Sequence, residues 1–129
     1  MPVPPSHIAQ VAIAVRDVAR AAAFYRDTLG LTHLFDAPPG LSFFQCGETR
    51  LMLSQPGGPE TAGNSILYYA VPSARAAHED LSRAGVPFEE GPRRIAEVGG
   101  RDVWLAVARD SEGNLLGLMS EEAPEPAAA

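Results

Sequence analysis

The sequence lacks a long apolar run, an excess of basic residues and a pair of cysteines. No stretch approaches the roughly 18–20 consecutive apolar residues of a membrane-spanning helix, so we do not expect a membrane protein. The formal net charge of -6 and the pI near 4.9 leave no basic surface for nucleic acid or anionic lipid. The single cysteine, Cys46, cannot form an internal disulfide, and its apolar segment predicts a buried, inert thiol.

Signals for export and for common catalytic centres are missing too. The first residues, MPVPPSH, have neither the basic nor the apolar segment of an export signal, so we expect a cytoplasmic protein. There is no HxH, HExxH or CxxC pattern and no glycine-rich phosphate loop between a strand and a helix. The three histidines, His7, His33 and His78, are scattered, and we expect them to be solvated or packed.

The first half of the chain predicts one helix and four strands. The apolar run IAQVAIAV predicts a strand, and Asp17 after it is a good helix N-cap. The helix VARAAAFYRDTLG is expected to end at Gly30, because glycine accepts the left-handed conformation that ends many helices. Three short strands follow, in LTHLF, LSFFQC and TRLMLS.

The second half repeats this order after a segment rich in proline and glycine. A strand in SILYYAV is followed by the N-cap Ser73, a helix ending at Gly85, and strands in VPFEE, VWLAVAR and NLLGLMS. Val15 and Val71 hold equivalent places, about 56 residues apart, which is the spacing of an internal repeat.

We therefore predict one α+β domain over residues 1–129, built from two tandem βαβββ modules. Module one spans about 7–55, a linker 56–63, module two about 64–121, and a tail 122–129. Side by side, the modules would form a curved mixed sheet with the helices outside and a concave cleft inside.

Two segments resemble a known family, the vicinal oxygen chelate superfamily. QVAIAVRDVARAAAFYRDTLGL at 10–31 resembles its opening strand, helix and FY…LGL ending, and RDSEGNLLGLMS at 109–120 resembles its DPxGN turn and final strand. The superfamily includes glyoxalase I, extradiol dioxygenases, methylmalonyl-CoA epimerase and bleomycin-binding resistance proteins. The resemblance covers 7–121 and implies the fold, but the fold hosts lyases, isomerases, oxygenases, transferases and plain binders.

The resemblance also implies where metal ligands would lie. In metal-dependent members four ligands stand on the concave sheet, and by motif they fall at Gln10, Met52, Ile66 and Gly117. Histidine, glutamate and sometimes glutamine are expected there, but Met52 offers only a weak thioether, and Ile66 and Gly117 offer no side-chain donor. A catalytic metal needs about three protein ligands and a water. We therefore expect no metal and no cofactor.

Strand alternation predicts which side chains line the cleft. Alternation alone does not decide whether Phe44 or Phe43 faces the cleft. It also does not decide between Trp104 and its neighbours. The expected ligand-binding residues are Gln10, Phe44, Arg50, Met52, Ile66, Tyr68, Trp104 and Gly117.

Each of these residues also has a structural alternative. The aromatic residues and methionines could simply fill the core, and Arg50 could be turn surface. Gln10, Tyr68, Arg50 and also Arg101 are the polar candidates for orienting a ligand. A mid-strand amide is unfavourable unless it is hydrogen-bonded, so we expect Gln10 to contact the ligand. The missing side chain at Gly117 would leave space for that ligand.

The sequence therefore favours a binding protein for a hydrophobic or aromatic small molecule, similar to the bleomycin-binding members of the superfamily. By the same resemblance we expect a homodimer with two equivalent clefts, and the acidic composition is consistent with cationic ligands. The alternative is a lyase, isomerase or dioxygenase of the superfamily. One variant holds a metal through Gln10, and another has no metal and uses Tyr68 as a general acid or base. No clear base beside a clear electrophile is evident, so the enzyme is the second hypothesis.

Overall fold

The computed structural model of the protein describes residue 5 and residues 7–55 and 65–124. The predicted linker at 56–63 lies outside the described residues, as do residues 125–129 of the predicted tail. The chain forms two compact units, residues 1–64 and 65–129, and each unit has a four-stranded sheet of its own. In the described part of the chain, no helix has the length and apolar character needed to cross a membrane.

The first unit is a βαβββ module. Its elements are β1 (Gln10–Ala14), α1 (Val18–Ala23) followed by a π-helical turn (Phe24–Thr28), β2 (Thr32–Ala37), β3 (Leu41–Cys46) and β4 (Thr49–Ser54). The sheet order is β1-β4-β3-β2, with β1 parallel to β4 and the other neighbours antiparallel.

The second unit repeats this arrangement. Its elements are β5 (Leu67–Ala70), α2 (Ala74–Arg83), β6 (Phe88–Val98), β7 (Arg101–Arg109) and β8 (Leu115–Glu122). The order β5-β8-β7-β6, with β5 parallel to β8, is the order of the first unit. The predicted α+β fold with two βαβββ modules is confirmed.

The helix boundaries follow the predicted local signals. Asp17 and Ser73 are the N-caps, and each side chain accepts a hydrogen bond from the backbone N–H three residues on, at 3.0 and 3.1 Å. Gly30 and Gly85 follow the helical segments with φ of 86° and 88°, values that residues other than glycine rarely adopt. The π-helical turn at the end of α1 was not predicted, because nothing in its composition distinguishes it from an ordinary helical turn.

In each unit, one sheet face is packed against the helix and forms the core. The main core residues of the first unit are Ile13, Val15, Tyr25, Phe44 and Leu53. Those of the second unit are Ala74, Leu81, Ala106, Leu116 and Leu118. We call the opposite face of each sheet, turned away from its helix, the open face.

Candidate functional site

Three rows of side chains cross the open face of the first unit. Each row consists of residues that are cross-strand partners in neighbouring strands. The first row contains Gln10, Arg50 and Gln45, which pair across β1, β4 and β3. The second contains Ala12, Met52, Phe43 and Phe35. The third contains Ala14, Ser54, Leu41 and Ala37. Among the described positions of this face, Arg50 is the one charged side chain.

Gln10 is held by its neighbour on the parallel strand β4. The Arg50 Nε donates a hydrogen bond of 2.7 Å to the Gln10 Oε1. The Gln10 Nε2 in turn points to the Met52 sulfur at 3.9 Å, a weak contact. Gln10 is the first residue of β1 and not a mid-strand residue, and its exposed amide bonds within the sheet and fixes the direction of the Arg50 guanidinium.

An aromatic stack stands beside this pair. The Arg50 guanidinium carbon lies 5.6 Å from the centre of the Phe43 ring, within cation–π range. On the other side, Phe43 stacks on Phe35, with ring centres 4.5 Å apart and an angle of 22° between the planes. Phe43 is buried, whereas Phe35 remains 46% exposed. The face thus presents an apolar aromatic surface next to one oriented cation.

Phe44 points to the other side of the sheet, away from these residues. Its side chain is fully buried against the helical segment, 6.3 Å from the Tyr25 ring centre and 5.2 Å from that of His33. Of the two alternatives that the sequence left open, Phe43 therefore lies on the open face with Gln10, and Phe44 belongs to the core.

On the open face of the second unit, Tyr68 covers Gly117. The two residues pair between β5 and β8, and Tyr68 is 52% exposed. A Cβ atom added to Gly117 would stand 2.7 Å from the Tyr68 Cε1 and closer still to Cδ1. The volume expected to be left free at Gly117 is therefore occupied by the Tyr68 ring.

The same face contains a groove of about 490 Å³, the unit 2 groove. Its apolar lining residues are Ile66, Tyr68, Leu105, Val107 and Leu115. Its charged lining residues are Glu89, Glu90, Arg93 and Arg109. The opposite charges pair with one another, Arg109 with Glu89 at 2.6 Å and Arg93 with Glu90 at 3.6 Å. The charges of the groove are therefore balanced among themselves.

Two other predicted residues lie elsewhere. Trp104 belongs to the helix side of its sheet, where the Arg75 guanidinium of α2 stacks over the ring at 4.0 Å. Arg75 also pairs with Glu122 at 3.3 Å, which ties α2 to the end of β8. Arg101 donates to the Glu121 carbonyl at 2.6 Å. Neither Trp104 nor Arg101 lines the unit 2 groove.

The four positions implied as metal ligands do not fit a divalent cation. The only oxygen among them, Oε1 of Gln10, already accepts a bond from a guanidinium. A divalent ion on that oxygen would be next to the Arg50 guanidinium, and the two positive charges would repel each other. At Gly117 the Tyr68 ring fills the place of the expected carboxylate. Among the described residues, no group of three His, Cys, Asp or Glu side chains could hold a metal ion.

A histidine, an aspartate and a serine meet at the edge of the first unit. His33 Nε2 lies 2.8 Å from Asp36 Oδ1, and the Ser42 hydroxyl donates to the same oxygen at 2.7 Å. These bonds, the one from His33 first, hold the pKa of the Asp36 carboxyl below its ordinary value. Because Ser42 donates to Asp36 and not to His33, the histidine does not activate the serine as a nucleophile.

Comparison with known proteins identifies the family. A sequence model of the Glyoxalase/Bleomycin resistance protein/Dioxygenase superfamily matches residues 7–118. None of the curated proteins compared with the chain matches it.

Solved structures show the same fold. Lactoylglutathione lyase from Agrobacterium tumefaciens is 24% identical, with 91% of this chain and 95% of that chain covered and a TM-score of 0.74. UcmS2 is 25% identical, with 90% and 98% covered and a TM-score of 0.71. A superfamily member from Sphaerobacter thermophilus DSM 20745 is 21% identical, with 91% and 98% covered and a TM-score of 0.74. At these identities the comparisons establish the fold and leave the ligand to be argued from the site.

Proposed function

The chain belongs to the Glyoxalase/Bleomycin resistance protein/Dioxygenase superfamily, and from this premise we propose that it binds a hydrophobic or aromatic small molecule on the open faces of its sheets. The proposal includes the homodimer and the cytoplasmic location expected from the sequence, but the argument for binding depends on neither.

The unit 2 groove is the main support for this proposal. Its volume of about 490 Å³ falls within the roughly 300–1,000 Å³ of typical small-molecule sites. Two of its large apolar side chains are exposed, Tyr68 at 52% and Ile66 at 39%. Because these side chains are only about half exposed, covering the exposed part of one under a ligand contributes at most about half of the 1.5–3 kcal/mol that full burial contributes. Because the charged groups of the groove are paired with one another, its apolar surface is left to contact a ligand.

The composition of the ligand positions supports binding without the family's metal. Gln10 is bonded to a cation, Met52 is a thioether, and Gly117 lies under an aromatic ring. At three of the four positions apolar surface stands where a donor is implied, from Met52, from Ile66 and, at Gly117, from the Tyr68 ring. This exchange favours a binder over a metal-dependent lyase or dioxygenase.

Binding can be tested by fluorescence titration with N-phenyl-1-naphthylamine, a neutral aromatic probe that brightens in apolar surroundings. We expect saturable binding that weakens by about tenfold or more in Val107→Glu, because a carboxylate would then need desolvation inside the groove. Val98→Glu is the matched control, since Val98 is 58% exposed at the end of β6 and does not line the groove. Equal affinity in the two variants, with both folded by circular dichroism, would refute the groove as the binding surface.

Metal dependence can be tested on the purified protein by elemental analysis and by thermal shift with nickel, zinc, manganese and iron(II). We expect no stoichiometric metal and no metal-dependent rise in Tm, because the Gln10 Oε1 already accepts a hydrogen bond from Arg50. A ligand present at 100 times its Kd stabilises a protein by about 2.7 kcal/mol, so a real site would be visible. A clear rise in Tm with one of these metals would favour the enzyme hypothesis.

A further inference from the structure

We infer that the open face of the first unit recognises an aromatic carboxylate, with Arg50 as the residue that binds the carboxylate group. This inference rests on the proposed function and names the chemical class of the ligand. It differs from the cationic ligands that the overall acidity alone would favour, because the local charge of this face is positive.

The partners of Arg50 set it apart from most arginines of the chain. Ion pairs with carboxylates are made by Arg26, Arg75, Arg83, Arg93, Arg94 and Arg109. The described contacts of Arg50 are instead an amide oxygen and an aromatic ring, both uncharged. In a protein with a formal net charge of -6, an exposed guanidinium without a described carboxylate partner is available to an anion from outside.

The geometry of Arg50 suits a carboxylate. Its Nε is engaged by Gln10, and the two terminal nitrogens make no described hydrogen bond. The bond to Gln10 restricts the guanidinium plane, and the Phe43 ring lies within cation–π range of it, at 5.6 Å. Less side-chain entropy is therefore lost when a carboxylate binds, and a planar guanidinium can bind its two oxygens together.

The surface next to Arg50 suits an aromatic ring. The buried Phe43 ring lies within cation–π range of the guanidinium on one side and stacks on the 46% exposed Phe35 ring on the other. A cation and an exposed aromatic surface are therefore separated by a single phenyl ring. A flat molecule with a carboxylate at one end can contact both at once, with Met52 and Ala12 offering further apolar surface beside it.

Calorimetric titration with 2-naphthoate and its neutral isostere 2-naphthamide tests the inference, because the two probes differ in charge and hardly in shape. We expect the protein to bind naphthoate about tenfold more tightly than naphthamide. Arg50→Gln should abolish this preference and leave naphthamide binding within about twofold. Arg50→Lys, which keeps the charge and loses the planar fork, should retain part of it. Arg26→Gln is the control for charge, since Arg26 is an exposed arginine of the same unit that pairs with Asp27.

The outcomes separate this inference from the proposed function. If naphthamide binds and naphthoate is not preferred, or if the preference survives in Arg50→Gln, the carboxylate site is refuted while small-molecule binding stands. If Arg50→Gln weakens both probes equally, Arg50 acts on the fold or on apolar contacts, and the inference also fails. If neither probe binds, both the inference and the proposed function lose their support.

Discussion

Replacing Phe44 with alanine is expected to lower the free energy of unfolding by about 3–5 kcal/mol. The side chain is fully buried on the helix side of its sheet, between the Tyr25 and His33 rings, so its removal leaves a cavity that the rigid β3 strand cannot close. This is a large part of the roughly 5–15 kcal/mol that stabilises a typical domain. Urea unfolding followed by circular dichroism measures the change, provided that the slope m is the same in both proteins.

Phe35→Ala is the matched control for this variant. Phe35 is also a phenylalanine of the first unit, but it lies on the open face and is 46% exposed. We expect a much smaller loss of stability and a weaker affinity for aromatic probes. The opposite pattern, a stable Phe44→Ala that no longer binds and a destabilised Phe35→Ala, would mean that the two faces are exchanged.

The elements of the fold were predictable from the sequence because their signals are local. Asp17 and Ser73 cap the helices with their own side chains, and Gly30 and Gly85 end the helical segments with a conformation that other residues avoid. The repeat of these signals in the two halves predicted the two βαβββ modules. No knowledge of long-range pairing was needed for any of them.

The side of the sheet taken by adjacent aromatic residues was not predictable in this way. Alternation requires that Phe43 and Phe44 point to opposite faces, but it does not say which one faces the helix. That choice depends on the register of β3 against β4 and on the bulge between His33 and Phe35 in β2. The face of Trp104 was not predictable for the same reason. The pairing of β7 with β8 places it on the side of the sheet that faces α2.

The role of Gln10 also depends on long-range pairing. Gln10 and Arg50 were both predicted to face the same way, as independent contacts for a ligand. The parallel register of β1 with β4 makes them one hydrogen-bonded pair, 40 residues apart in the chain. Sequence patterns predict the face of a strand residue, but its cross-strand partner is set by register, which the sequence of one strand does not contain.

Gly117→Ala is expected to destabilise the protein by about 1–3 kcal/mol, because the new Cβ would overlap the Tyr68 ring. The backbone is not the cause, since Gly117 does not have a positive φ. In the absence of the ring, alanine in a strand should instead be more stable than glycine by about 0.5–1 kcal/mol. The sign of the effect therefore reports on the place of the Tyr68 side chain.

A double-mutant cycle with Tyr68→Ala isolates this contact. We expect Gly117→Ala to be neutral or stabilising in the Tyr68→Ala background, and the coupling between the two positions to fall within about 0.5–3 kcal/mol. Gly91→Ala is the matched control for adding a methyl group to a strand, since Gly91 lies in β6 without a positive φ and its new Cβ would meet nothing within 4 Å. A stabilising Gly117→Ala in the otherwise unchanged protein would show that the ring stands elsewhere in solution.

The same substitution connects the position that the resemblance implies as a metal ligand with the proposed binding surface. In metal-dependent relatives the resemblance implies a carboxylate at position 117, and here glycine is the one residue that lets the Tyr68 ring lie against the strand. Under the proposed function, the absence of a side-chain donor at position 117 and the aromatic surface in the unit 2 groove are consequences of one residue. A Gly117→Ala protein that is folded but binds the neutral naphthylamine probe more weakly would support this connection, because the displaced ring no longer offers its face to the ligand. Unchanged binding would separate the two and leave Gly117 with a role in packing alone.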